Sequence, residues 1–306
     1  MNLESRTKGI ILVVIGATLW GVSGTVAQFL FQEKGFNAEW LVVIRLLVSG
    51  IILLLYAFKK VKHDIWKIWE SKHNSLRLIT FSIIGMVGVQ YTYFAAIKHG
   101  NAPTATILQY LSSVIIACYL IISNKKIPSV QEVIAITLAM IGTFFIITKG
   151  DISTLAISKL ALFWGISSAF AAAFYTLQPR YLLAKYGSIL VVGWGMLIGG
   201  VAFSFIHQPW DFKGIWSISS ILAVIFVVLF GTLIAFCCYL ESLKYIRPTE
   251  TSVLSSVEPL SAAFLSIFWL QVSFGLAQWV GTVCIIGTII ILSRVKNEKK
   301  PSNLIC

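Results

Sequence analysis

The chain has 306 residues, of which 58% are hydrophobic and only 12% are charged. Soluble globular domains carry about 25% charged and 45–50% apolar residues, so this composition excludes an ordinary soluble protein. Lysine and arginine outnumber aspartate and glutamate by 24 to 12, for a net charge of +12. Where these bases fall along the chain decides whether they form a nucleic-acid surface or set a membrane topology.

Ten apolar segments have the length that a helix needs to cross a bilayer, about 18–25 residues for a hydrocarbon core of about 30 Å. We therefore predict an all-α integral membrane protein with ten transmembrane helices. The predicted crossings are Gly9–Phe31, Trp40–Phe58, Leu76–Ile97, Ala102–Ser123, Val130–Thr148, Leu160–Leu183, Ile189–Ile206, Ile215–Leu240, Thr249–Leu270 and Phe274–Ser293.

The basic residues are distributed unevenly between the two sides of this topology. With the N-terminus in the cytoplasm, 18 bases fall in cytoplasmic segments and 5 in external loops, while Arg45 lies within a helix. Lysine and arginine accumulate on the cytoplasmic side of membrane proteins. We therefore predict a multi-pass plasma-membrane protein with both termini in the cytoplasm, and no nucleic-acid partner.

An internal repeat divides the chain into two halves. The motif Trp20-Gly21 recurs as Trp164-Gly165, 144 residues later, and residues 102–147 align without a gap to 247–292 at an offset of 145. Identities in the second alignment include Pro103/Pro248, Thr104/Thr249, Gly142/Gly287 and Thr143/Thr288. The predicted units are a first five-helix repeat at 9–148, an external linker at 149–158, a second repeat at 159–294 and a cytoplasmic tail at 295–306.

Each predicted repeat has an odd number of crossings, so the second copy must enter the membrane from the opposite side. Inverted repeats of this kind place the substrate site of transporters near the bilayer midplane, at the interface between the copies. The repeat parity therefore predicts a carrier that works by alternating access.

The stretch from Arg247 to Leu270 contains an acid and a helix breaker at membrane depth. A charge there costs at least about 2.5–3.5 kcal/mol on insertion scales, so Glu258 is expected to face a partner or a wet cavity. Pro259 frees the backbone carbonyl of Ser255, which then needs a substitute donor. Glu258 is accordingly the predicted coupling residue, with protons as the candidate ion; a structural hydrogen bond to free backbone is an equal alternative.

Polar and aromatic side chains within the other apolar segments are candidates for lining a substrate cavity. Interhelical hydrogen bonding is an alternative for each tyrosine and glutamine, and core packing for each tryptophan. Snorkelling to the interface and pairing in the interior stay equally open for Arg45. The candidate substrate-binding residues are Trp20, Tyr91, Gln109, Tyr110, Trp164, Tyr175, Ser255 and Glu258.

The sequence has little with which to build an enzyme. The histidines and aspartates fall in loops or at helix ends, and the five cysteines have neither metal-ligand spacing nor a disulfide pattern. We predict no catalytic residue, no metal and no cofactor.

An ordered set of motifs resembles the drug/metabolite transporter (DMT) superfamily, specifically its bacterial EamA type. The set comprises the Trp-Gly pairs, Arg45, Ala96-Ile97-Lys98, Ala102-Pro103-Thr104-Ala105 and Val257-Glu258-Pro259. The resemblance covers about residues 9–293 and implies a plasma-membrane carrier, often an exporter of amino acids or related metabolites. The first repeat departs from it, because Ser113 and Val114 stand at the positions of Glu258 and Pro259.

We therefore expect a secondary transporter that moves small organic metabolites, amino acids or related compounds, outward across the plasma membrane as a monomer or homodimer. The alternatives are a polytopic membrane channel, a multidrug or amine exporter of the same fold and, less favoured, a membrane-embedded enzyme.

Overall fold

The computed structural model describes residues 3–123, 125, 127–149, 157–243, 245–246, 251 and 254–294. Within these residues the protein is helical and has no β-strand. The main helices are α1 (Leu3–Gln32), α2 (Ala38–Val61), α3 (Lys72–His99), α4 (Ala102–Ser123), α5 (Val130–Thr148), α6 (Lys159–Leu177), α7 (Ser188–Ser204), α8 (Ile218–Ser242), α9 (Val257–Phe268) and α10 (Leu276–Arg294).

Helices α1 to α6 and α8 are long and apolar enough to cross a membrane, while α7, α9 and the segment Leu276–Leu292 of α10 are shorter apolar helices. The prediction of an all-helical, multi-pass chain is thus supported, but the count of ten crossings and the inverted repeat stay predictions. The residues at 247–250, most of the predicted linker and the predicted tail lie outside the described part of the chain.

Three predicted crossings are interrupted in the structure, and the first is Ala102–Ser123, which a turn at Leu111 divides. The segment predicted as Leu160–Leu183 ends as a helix at Leu177 and continues as a short separate helix, Arg180–Tyr186. Pro179 separates them, because proline has no N–H and cannot make the backbone hydrogen bond that would continue the helix. A third break, at Ser255 and Ser256, precedes α9, which begins six residues after Thr251.

Helices from the two halves approach each other closely through glycines. On α2 and α7, a Cβ at Gly50 would stand 2.5 Å from the Leu197 backbone nitrogen. On α5 and α10, a Cβ at Gly142 would stand 2.8 Å from the Gly281 carbonyl oxygen, and a Cβ at Gly281 2.7 Å from that of Gly142. A side chain at Gly50, Gly142 or Gly281 would collide with the facing backbone, so these glycines permit the close approach of the helices.

An aromatic cluster joins the loops at one end of the bundle, where α1 leads into α2 and α7 leads into α8. Rings of Phe36 and Trp40 pack against those of Phe212 and Trp216, with centroids 4.8–5.7 Å apart in every pairing. Asn37 adds polar contacts, since its amide oxygen accepts from the Lys213 backbone N–H at 3.2 Å. This end of the molecule therefore ties the first half to the second.

The reciprocal glycine contact between α5 and α10 generates a prediction about stability. Replacing Gly142 with leucine forces a side chain into the Gly281 backbone, and overpacking of this kind costs about 1–3 kcal/mol. We expect a lower thermal midpoint for the Gly142→Leu protein in detergent, followed by intrinsic tryptophan fluorescence. Gly275→Ala is the control, because an added Cβ there meets no atom within 4 Å; equal midpoints for the two variants would contradict the packing argument.

Candidate functional site

The break before α9 exposes a backbone carbonyl that two donors satisfy. The Ser255 carbonyl oxygen accepts from the Glu258 backbone N–H at 2.9 Å and from the Tyr110 hydroxyl at 2.8 Å. Pro259 sits in the first turn of α9, where a missing N–H leaves no intrahelical bond unmade. The substitute donor that the sequence required for Ser255 is thus the side chain of a residue on α4.

Helix α4 breaks at the matching position. Its regular helical segments, Ala102–Tyr110 and Ser112–Ser123, are separated by a turn at Leu111. Tyr110 lies 145 residues before Ser255, which is the offset of the predicted repeat. The two breaks meet in space, where the Tyr110 hydroxyl lies 2.8 Å from the Ser255 carbonyl and 3.0 Å from the Glu258 Oε2 atom.

Arg45 provides a positive charge within the bundle. Arg45 is only 7% exposed. Its Nε atom donates to the Thr232 hydroxyl at 2.5 Å, and its Nη2 atom donates to the Gly231 carbonyl at 3.2 Å. Both acceptors belong to a π-helical stretch of α8, Phe226–Ile234, and π-helical turns occur frequently at functional sites. Of the two alternatives for Arg45, the structure has interior hydrogen bonding rather than snorkelling.

Arg45 and Glu258 face the same cavity without forming an ion pair. The cavity has a volume of about 500 Å³ and is enclosed by helices of both halves. Within the described residues, neither charge has an opposite charge within 4.0 Å. Aromatic side chains supply much of the remaining wall: Trp20, Phe81, Tyr93, Tyr110, Tyr175, Phe236 and Tyr239.

The cavity reaches the helix ends on one face of the bundle, where Pro179, Leu183, Ser188 and Leu243 line it. Towards the other face, α1 closes against its neighbours through polar contacts. The Thr25 hydroxyl lies 3.1 Å from the Ser266 hydroxyl on α9. One turn further along α1, the Gln28 amide oxygen accepts from the Ala102 backbone N–H at 2.8 Å.

Six of the eight predicted binding residues line this cavity and two lie elsewhere. The six are Trp20, Gln109, Tyr110, Tyr175, Ser255 and Glu258. Tyr91 and Trp164 instead pack against each other, with ring centroids 5.3 Å apart, and Tyr91 also contacts Phe203. Tyr93, on the opposite side of α3 from Tyr91, faces the cavity in its place. Substrate contact by the six stays a prediction.

Several cavity residues were not among the predicted binding residues. Arg45 could have been included, because an arginine inside a predicted span is itself a signal of function. Tyr239 follows two cysteines in an apolar run, and only its ring contact with Trp20, at 5.2 Å, reveals its place. Thr232 carries no sequence signal, because its role comes from the Arg45 side chain that reaches it.

Apolar helices around a cavity that contains buried charges define a multi-pass membrane protein built to hold a solute. The family model of the EamA-like transporter family matches the chain twice, over residues 7–148 and 159–294. The chain therefore belongs to the EamA-like transporter family and is a membrane transporter, which confirms the resemblance found in the sequence.

Two relatives extend this result. "Uncharacterized inner membrane transporter YicL" of Salmonella typhimurium is 40% identical over 291 residues, which cover 95% of this chain and 97% of the relative. "Uncharacterized transporter YwfM" of Bacillus subtilis is 22% identical over 296 residues, with 95% of each chain covered.

A solved crystal structure of another protein has the same fold. It superimposes with a TM-score of 0.61, at 14% sequence identity, and the match covers 95% of this chain and 96% of that one. At this identity the likeness bears on the fold alone.

The two repeat-related tryptophans provide a test of the cavity. Trp20 lines it and Trp164 does not, so Trp20→Ala should weaken solute binding by about 1–2 kcal/mol, a factor of roughly 5–30. Trp164→Ala should leave the affinity unchanged and lower only the thermal stability. The affinity of each variant is measured as the KM of solute uptake into proteoliposomes. Equal KM values for Trp20→Ala and wild type would show that Trp20 is not part of the binding site.

Proposed function

We propose that this transporter is a secondary carrier for small zwitterionic metabolites, amino acids or closely related compounds, and that it exports them by alternating access. The observation that carries the proposal is the pair of separated charges, Arg45 and Glu258, on the walls of one cavity. A cavity of about 500 Å³ lies within the range of small-molecule sites, about 300–1,000 Å³.

The charges match the two ends of a zwitterion. Two of the five guanidinium N–H groups of Arg45 donate to Thr232 and Gly231, and the others are available to a carboxylate. Glu258 accepts from Tyr110 through one oxygen and can receive an ammonium group on the carboxylate. Because an uncompensated charge at membrane depth is costly, a solute that neutralises both charges would be bound with a gain in free energy.

The aromatic wall supports binding of an apolar or cationic portion of the solute. Trp20 and Tyr239 stand next to each other with their ring centroids 5.2 Å apart. Their faces attract both hydrocarbon and ammonium groups. An amine exporter of the same fold is the second candidate. Arg45 distinguishes the two candidates, because a solute with only a cationic group would bring no anion to pair with the buried guanidinium.

Alternating access is supported by the shape of the cavity and the relation between the halves. The cavity reaches one face at Leu183 and Leu243, and Thr25 closes α1 against α9 towards the other face. The break in α4, at Leu111, and the break before α9, at Ser256, lie 145 residues apart. If the halves are inverted repeats, exchanging their conformations would close the first face and open the second. Transport, not catalysis, is therefore the proposed activity.

The proposed orientation places the open face in the cytoplasm of a cell whose plasma membrane the chain spans. It rests on the basic residues, which are concentrated in segments at that face, including the connection from Lys59 to Lys72. The relative in Salmonella typhimurium carries the words "inner membrane transporter" in its name. An outward direction of transport then corresponds to solute entering at the open face.

The carrier and its charge recognition are tested together by counterflow in proteoliposomes. Unlabelled L-phenylalanine inside the vesicles should accelerate entry of labelled L-phenylalanine, since a carrier is trans-stimulated and a channel is not. Arg45→Gln should reduce this exchange by at least tenfold, because the carboxylate loses its partner, and should leave exchange of phenethylamine, which has no carboxylate, comparatively unaffected.

The control for Arg45→Gln is Arg77→Gln, since Arg77 lies over the Tyr181 ring outside the cavity. Equal losses for the amino acid and the amine would contradict carboxylate recognition by Arg45. Absence of counterflow for both solutes and for a panel of other amino acids would contradict the proposed carrier of amino-acid-like solutes.

The topology predicts that residues 1 and 306 face the same compartment, the cytoplasm. Single-cysteine tags appended at each end of a chain that lacks the native cysteines should resist a membrane-impermeant thiol reagent in intact cells and react after permeabilisation. If the tag at only one end of the chain reacted in intact cells, the result would contradict both the even number of crossings and the proposed orientation.

A further inference from the structure

We propose that Thr232 is a positioning residue for solute recognition: its hydroxyl holds the Arg45 guanidinium apart from Glu258. Without that contact the two charges would pair with each other, and neither would be available to a solute. The inference rests on the proposed function, since it names a residue that determines the specificity of the same site. It is carried by the hydrogen bonds that join Arg45 to the π-helical stretch of α8.

The hydroxyl of Thr232 has a fixed direction. It donates its hydrogen to the Val227 carbonyl at 2.9 Å and accepts from Arg45 Nε at 2.5 Å. Thr232 is buried, and a hydroxyl has only one hydrogen to donate. While it is bound to Val227 it cannot donate to a solute, so Thr232 acts on the solute through Arg45.

The π-helical stretch also makes the second acceptor available to Arg45. A π-helix pairs a backbone N–H with the carbonyl five residues earlier instead of four. The Ala235 N–H accordingly donates to the carbonyls of Phe230 and Thr232. The Gly231 carbonyl, which an α-helical turn would assign to Ala235, accepts from Arg45 Nη2 at 3.2 Å. The π-helical register is therefore part of the Arg45 site.

The Phe94 ring restrains the face of the guanidinium. The Arg45 Cζ atom lies 5.1 Å from the ring centroid, and Phe94 is fully buried. A guanidinium at this distance over an aromatic face is attracted to the ring. Because α8 accepts from Nε and from Nη2, the three remaining N–H groups are the part of Arg45 that can meet a carboxylate.

Arg45 and Glu258 attract each other although they do not touch. They line the same cavity and interact electrostatically, and an attraction of this kind is strong where the dielectric constant is low. The contacts with α8 hold Arg45 against this attraction. A guanidinium released from Thr232 would pair with Glu258, and a solute would then have to break that ion pair before its own charges could bind.

Removing the Thr232 hydroxyl tests this role. The Kd values of L-phenylalanine and phenethylamine are measured for the full chain in nanodiscs, from the change in intrinsic tryptophan fluorescence. In Thr232→Val both Kd values should rise by at least about tenfold, because a hydrogen bond to a charged group is lost and the released Arg45 occupies Glu258. Thr232→Ser keeps the hydroxyl and should restore both values.

Phenethylamine has no carboxylate, so its affinity falls only if Glu258 is occupied or the cavity is damaged. A double variant separates these causes. In Thr232→Val/Arg45→Gln the Kd of phenethylamine should return to the value of Arg45→Gln alone, because no guanidinium is left to occupy Glu258. Damage to the cavity would persist in the double variant.

The matched control is Thr80→Val, because the Thr80 hydroxyl donates to the Leu76 carbonyl of its own helix at 2.9 Å, outside the cavity. This substitution should change neither Kd. Thr232→Ala is the second variant should Thr232→Val fail to fold, and it should reproduce both losses of affinity.

An unchanged Kd of phenethylamine in the Thr232 variants, or a loss that persists in the double variant, would overturn the inference. A wild type that binds neither probe would overturn it together with the proposed solute class. A wild type that binds both probes but shows no counterflow would contradict the carrier alone.

Discussion

The contact between Tyr110 and the Ser255 carbonyl is the interaction on which the cavity depends. In a bilayer no water is available to an unpaired backbone group, so an interrupted helix is tolerated only where another group replaces the lost donor. The hydroxyl of α4 does this for the break before α9, at 2.8 Å. The polar backbone at the break can then line the cavity instead of destabilising the helix.

Equivalent positions in the two halves carry different chemistry. The break in α4 and the break before α9 lie at positions 145 residues apart. Ser113 and Val114 nevertheless occupy the first half where the second has Glu258 and Pro259. Where the two breaks meet, α9 therefore contributes one carboxyl group and α4 contributes one phenol. The centre between the two halves is therefore asymmetric in its chemistry.

Close helix contact makes the cavity possible. Backbones meet at Gly142 and Gly281 and at Gly50 and Leu197, so α5 pairs with α10 and α2 with α7. The space between the remaining helices is then left for side chains of intermediate burial such as Trp20 and Tyr239. Arg45 spans this space from α2 to the π-helical stretch of α8, and its two hydrogen bonds there hold the guanidinium in place.

The sequence by itself determined the helical membrane class and the family and predicted a role for Glu258, because hydrophobic length, base distribution and an acid beside a proline are local properties of the chain. It could not determine which of two aromatic residues on one helix faces inward. The rings of Tyr91 and Trp164 pack against each other, with centroids 5.3 Å apart, while Tyr93 and Tyr239 line the cavity. Which residues face inward depends on how neighbouring helices rotate and pack. Arg45 shows the same limit: the sequence predicts a charge within a helix, but only the tertiary structure identifies its partners, Thr232 and Gly231, which lie 187 and 186 residues away.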